Sequence, residues 1–118
     1  MRTAKGYLVL AGGAEFGGKM AEVDRRAIEL AGGSGAQIDI IPAAAAADNN
    51  SFAAGTNGVR WFKSLGAFRV VNRMLVDQRS ANTAEMASAL RTSKLVYLLG
   101  GFHGYLADSL AATASWQA

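Results

Sequence analysis

Cysteine is absent from the 118 residues, histidine and proline occur once each, and uninterrupted apolar runs are short. Each gap excludes something. Without cysteine there is neither a disulfide framework nor a thiolate metal site, a usage that fits a cytoplasmic protein. A single histidine adds too few imidazoles for a transition-metal centre, so no metal or other cofactor is expected. No stretch approaches the roughly 18 consecutive apolar residues of a membrane-crossing helix, and no membrane association is expected. The run that ends at Gly12-Gly13 is too brief and too glycine-bounded for a secretory leader.

Charge is also sparse. Twelve Lys and Arg stand against nine Asp and Glu, a formal net charge of +3, and the cations are spread along the chain. The one adjacent basic pair, Arg25-Arg26, sits among Glu22, Asp24 and Glu29 and reads as a solvated helix face. No nucleic-acid partner is expected from so dispersed a pattern. Hydrophobic residues make up 51% of the chain, but many are alanines that bury little area, so the core should be thin. The length suits a single α/β domain covering residues 1–118.

Four apolar runs read as buried strands: residues 7–11, 37–41, 68–74 and 95–99. Their near-continuous apolarity implies a parallel sheet with at least two strands covered on both faces. Helical spacing fills the intervals. Met20, Val23, Ala27 and Leu30 form one stripe, with Gly32-Gly33 as its stop. Val59, Phe62 and Leu65 form a second, ending at Gly66. A third begins near Asn82, with Glu85 placed as in a capping box, and runs through Met86 and Leu90. A fourth spans residues 105–113, and residues 43–55 read as the longest loop. Strands alternating with helices predict right-handed βαβ units and a three-layer αβα sandwich with about four mainly parallel strands, a flavodoxin-like architecture.

In such sheets ligands bind beyond the carboxyl ends of the strands. The loops on that edge are residues 12–18, 42–55, 77–82 and 100–104, whereas the Gly32-Gly33-Ser34-Gly35 turn falls on the opposite edge and serves to end a helix. Residues Gly13-Ala14-Glu15-Phe16-Gly17-Gly18-Lys19 fit the G-x-x-x-x-G-K pattern of a phosphate loop. Met20 replaces the magnesium-binding hydroxyl, however, and Glu15 would set a negative charge against phosphate, so a plain glycine turn is the simpler reading. A serine elbow, G-x-S-x-G at a strand-to-helix turn, is missing. Gly32-Gly33-Ser34-Gly35-Ala36 breaks the last glycine and lies on the wrong edge. Gly100-Gly101 ends a buried strand, where two backbone N–H groups could approach and stabilise an oxyanion. His103 has no serine assigned to it by spacing, and a loop histidine is its simpler reading.

Several of these pieces together resemble the cyanophycinase and dipeptidase E family of serine peptidases, which have a class I glutamine amidotransferase-like fold. They are Gly12-Gly13-Ala14-Glu15, Ile40-Ile41-Pro42-Ala43-Ala44, Arg60-Trp61-Phe62 with Leu65-Gly66-Ala67, Ser80-Ala81-Asn82 with Glu85, and Val96-Tyr97-Leu98-Leu99-Gly100-Gly101 followed by Tyr105-Leu106 and Trp116. The resemblance implies a cytoplasmic hydrolase of peptide or isopeptide bonds whose serine lies in a G-x-S-A-G-A elbow on the strand after the Gly-Gly strand, with histidine and acid later still. On that reading the chain is the N-terminal half of such a domain, truncated before the nucleophile strand, and is inactive alone. No catalytic residue is carried over. Gly100 and Gly101 map to the oxyanion-hole backbone, and Gly13, Glu15 and His103 are the candidate substrate- or ligand-contacting residues. Phe102-His103 departs from the acidic or amide residues common in relatives.

Two further readings stand beside this one. In the first, the chain is a non-enzymatic oligomeric α/β module; in the second, it is a degenerate phosphate-loop nucleotide binder. For the sheet, the first strand is expected between the second and the fourth, leaving residues 95–99 at an exposed edge. A homodimer, or a chain carrying the missing C-terminal half, would pair there.

Overall fold

The computed structural model describes residues 6–7, 9, 16–42, 51–99, 111 and 113–118. The expected strand at 7–11, the expected helix at 105–113 and the Trp116 side chain fall wholly or mostly outside them.

Helix α1, Ala21–Ala31, follows a 3-10 turn at Gly18–Met20. It ends where the chain needs a left-handed residue: Gly32 has φ +118° and donates to Glu29, and the Gly33 N–H reaches the Ile28 carbonyl at 2.9 Å. The glycine stop read from sequence is therefore real, but the buried face is not the expected one. Val23 is exposed, while Asp24 and Ile28, four residues apart, point inward. A carboxylate can occupy that contact because α2 brings the Trp61 indole N–H to it.

Helix α2, Ser51–Ser64, starts inside the expected 43–55 loop, and its buried residues are Gly55, Gly58 and Phe62. Gly55, expected at the end of that loop, instead joins Gly58 in a flat helix face against the sheet. A Cβ at Gly58 would stand 2.9 Å from Phe16 Cζ and 3.1 Å from Ile40 Cγ2, and one at Gly55 would overlap the Asn72 amide. The helix ends at Gly66, φ +107°.

Helices α3 (Gln78–Ala81) and α4 (Ala84–Arg91) carry their own caps. Asp77 and Ser80 form a reciprocal capping box, and Thr83 accepts from the Met86 N–H. The expected box at Asn82 and Glu85 is thus replaced by caps on either side of it. Asn82 Oδ1 instead accepts from the Ala114 N–H at 3.0 Å, seating α5 (Ala114–Gln117) beside α4.

The described strands are β1 (Ile38–Ile41), β2 (Val70–Asn72) and β3 (Leu95–Leu98), all parallel in the order β2-β1-β3. The register sets Ile38 against Val70 on one side and Leu95 on the other. This corrects the expected strand order, because β1 bonds directly to β3 and nothing is inserted between them. The centre goes to the strand that can be buried throughout. All four residues of β1 are buried, whereas β3 alternates half-buried and exposed residues. Among the described strands β1 is the one buried along its whole length.

On one face α1 and α2 cover Ile38, Ile40 and Val70 with Ile28 and Phe62, and Phe62 meets Tyr97 edge-on at 5.5 Å. On the other, Ile41 packs with Leu75, Ala81 and Leu90. The molecule is thus an α/β sandwich with helices on both faces of a parallel sheet, flavodoxin-like in architecture. Among the described residues no helix is long and apolar enough to cross a membrane.

Candidate functional site

Parallel pairing brings the carboxyl ends of the three strands to one edge, where Pro42, Asn72, Arg73 and Leu99 end or follow them. Leu99 is buried, and its N–H bonds to the Ile41 carbonyl at 3.1 Å, extending the ladder to the residue before Gly100. Gly13, Glu15, Gly100, Gly101 and His103, the candidates read from sequence, all lie outside the described residues. The shell bordering them is described.

Phe16, next to Glu15, holds φ at +58°, a left-handed conformation that disfavours a bulky residue by about 1–2 kcal/mol. What offsets this is packing. Its ring lies 5.4 Å from that of Tyr97 and fills the space left by Gly58. The described part of the G-x-x-x-x-G-K segment thus turns an aromatic side chain into the core, while Lys19 stays exposed. An open cradle of backbone N–H groups around phosphate calls for the reverse.

Asn72 ends β2 at this edge. Its amide lies over Gly55, with Nδ2 3.4 Å from the Phe52 carbonyl; Oδ1 is buried and has no hydrogen-bond partner among the described residues. Arg73 continues the ladder by donating to Ile40 and turns its side chain back along the sheet, placing Nε 2.6 Å from Asp39 Oδ1. The second Asp39 oxygen accepts from Gln37 Nε2 at 2.8 Å. That amide also donates to the Ala89 carbonyl, and its own oxygen accepts from Thr92. Asp39 is completely buried and held on both oxygens, so it neutralises Arg73 and ties β1 to β2 and, through Gln37, to α4. With each oxygen bonded within the fold and no exposed surface, this carboxylate is placed for a structural role. Sequence reading missed this pair because Asp39 sits inside an apolar run and its partner lies on another strand.

Ser64, Ser80 and Ser93 serve the backbone, while the buried Ser115 Oγ has no hydrogen-bond partner among the described residues. Ser80 Oγ accepts from the N–H groups of Val76 and Asp77, and Ser64 and Ser93 donate to the Trp61 and Leu95 carbonyls. The Gly32–Gly35 turn lies with Gln37, Arg69 and Lys94, all of which precede strands, and so belongs to the amino edge as expected.

No protein-family model matches this chain, and no curated protein matches it. Among solved structures, the crystal structure of a peptidase from an acI-B1 Actinobacterium matches with a TM-score of 0.77 and 27% sequence identity. The match covers 90% of this chain and 45% of that one, so this chain spans less than half the length of the peptidase it resembles. Its α/β fold is peptidase-like over nearly all of its length.

Proposed function

We propose that this chain provides one half of a serine-peptidase-like hydrolase domain of the cyanophycinase and dipeptidase E kind, and that alone it performs no covalent hydrolysis. The observation that carries this reading is the 0.77 TM-score over 90% of this chain but 45% of a peptidase. The sequence adds a second support: it contains Gly100-Gly101 one residue after β3 and no G-x-S-x-G elbow. In this reading Gly100 and Gly101 supply backbone donors to an oxyanion, and the attacking serine with its base comes from a separate segment or chain. Labelling with a fluorophosphonate probe tests it. The isolated chain stays unlabelled, and a co-expressed segment carrying a G-x-S-A-G-A elbow restores labelling on that segment. Label on any serine of this chain alone would defeat the proposal.

The complementing segment would meet β3. Val96 and Leu98 are 43% and 46% exposed, on the face of the sheet shared with Asp39 and Ile41. Among the described residues β3 pairs on one side only. The same surface favours a second reading, a non-enzymatic module that self-associates through β3. Sedimentation with the complementing segment co-expressed separates the two: the module remains a homodimer, and the half-domain forms a heterodimer with that segment.

A further inference from the structure

We propose that the amino edge of the sheet carries an oxyanion site for a small phosphorylated molecule of the diphosphate type, separate from the carboxyl edge and independent of the peptidase reading. The groove there has a volume of about 630 Å³, within the usual range for small-molecule sites. Three cations from three elements line it: Arg69 just before β2, Arg91 at the end of α4, and Lys94 just before β3. The topology brings them together, since parallel strands start side by side and α4 ends where β3 begins.

Among the described residues no carboxylate lines the groove. Asp39, two residues beyond Gln37, is already held by Arg73 and Gln37. The ion pairs among the described residues are Arg26–Glu29 and Arg73–Asp39, and neither involves the groove cations. Arg69 makes one long contact, 3.4 Å to the Gly35 carbonyl, leaving most of its guanidinium fork unused.

The ordinary role for cations at this edge is to satisfy helix C-terminal carbonyls. Part of that role is filled by other groups. At the end of α1 the Ile28 and Glu29 carbonyls accept from Gly33 and Gly32; at the end of α4 the Ala89 carbonyl accepts from Gln37 and Thr92, and the Leu90 carbonyl from Ser93. Arg69, Arg91 and Lys94 are all exposed and line one depression. Two guanidinium forks and an ammonium suit two linked phosphates, which together carry about three negative charges at neutral pH.

The test titrates the whole chain with inorganic pyrophosphate at constant ionic strength, followed by amide NMR and by Tm. The expected result is a rise in Tm with resonance shifts confined to the groove, at Gly35, Gln37, Arg69, Thr92 and Lys94. Arg69→Gln, Arg91→Gln and Lys94→Gln, all at exposed positions, each weaken binding by about tenfold. Arg60→Gln, on the exposed face of α2, leaves it unchanged. The amide spectrum of each variant reports whether its fold is retained. Unaltered affinity in the triple groove variant, shifts scattered over other basic residues, or binding of a single-stranded oligonucleotide but not of pyrophosphate overturns the proposal.

Discussion

The indole N–H of Trp61 donates to the Asp24 carboxylate across 2.7 Å, joining α2 to α1 on the same side of the sheet. Asp24 is only 3% exposed, and burial raises its pKa above the ordinary 3.8, with the indole bond pulling partly the other way. The folded state therefore holds this proton more tightly than the unfolded chain.

The sign of the pH dependence follows. Below 3.8 Asp24 is neutral in both states and carries no penalty; as pH rises through the raised folded value, ionisation in the buried site removes stability. Asp24→Asn keeps an acceptor for the indole without the charge. It is expected to match or exceed the parent in stability at pH 7 and to flatten the loss above pH 3.8, as read by urea unfolding across pH. Trp61→Phe removes the donor instead, and should cost about 1–3 kcal/mol at pH 7.

A second prediction concerns the Arg73–Asp39 pair. Arg73→Met leaves a fully buried carboxylate with Gln37 as its remaining partner. The expected loss is about 3 kcal/mol, at the low end for breaking a buried pair because that amide still donates. Adding Asp39→Asn should recover part of the loss, and a double-mutant cycle by chemical denaturation measures the coupling. Additive losses would show that the two side chains act separately.

Gly58 allows a third test. Alanine there gains about 1 kcal/mol of helix propensity, but its Cβ meets Ile40 Cγ2 at 3.1 Å and Phe16 Cζ at 2.9 Å, and crowding of that kind costs about 1–3 kcal/mol. Gly58→Ala should lower Tm, whereas Asn57→Ala, one position away on the exposed face, should hold or raise it.

The proposed function predicts a surface effect at β3. Leu98→Lys should change folding stability by less than about 0.5 kcal/mol, since the side chain is 46% exposed, yet abolish self-association or complementation seen by light scattering. Association that survives the charge would move the interface elsewhere.

Where sequence reading failed, a residue's value depended on a distant partner. Gly55 read as a loop residue because glycine disfavours helix interiors, and only the closeness of Asn72 makes a glycine useful there. Val23 was expected inward and Asp24 outward, until an indole from α2 reversed the preference. The first strand was expected between the second and the fourth, but β1 pairs directly with β3. The candidate residues at Gly13, Glu15, Gly100, Gly101 and His103 were read from motif and resemblance, and only their neighbours Phe16 and Leu99 are described.

The sequence by itself determined the three described strands, the α/β class and the glycine stops at Gly32 and Gly66, because periodicity and left-handed backbone are local properties. It also determined that Gly100-Gly101 follows the strand ending at Leu98 by one residue. Only tertiary structure decided which strand is central, how Asp24 and Asp39 are neutralised, and that Arg69, Arg91 and Lys94 face one groove. Those outcomes depend on side chains from separate elements meeting in space, and the energy of such a meeting is written in no single stretch of chain.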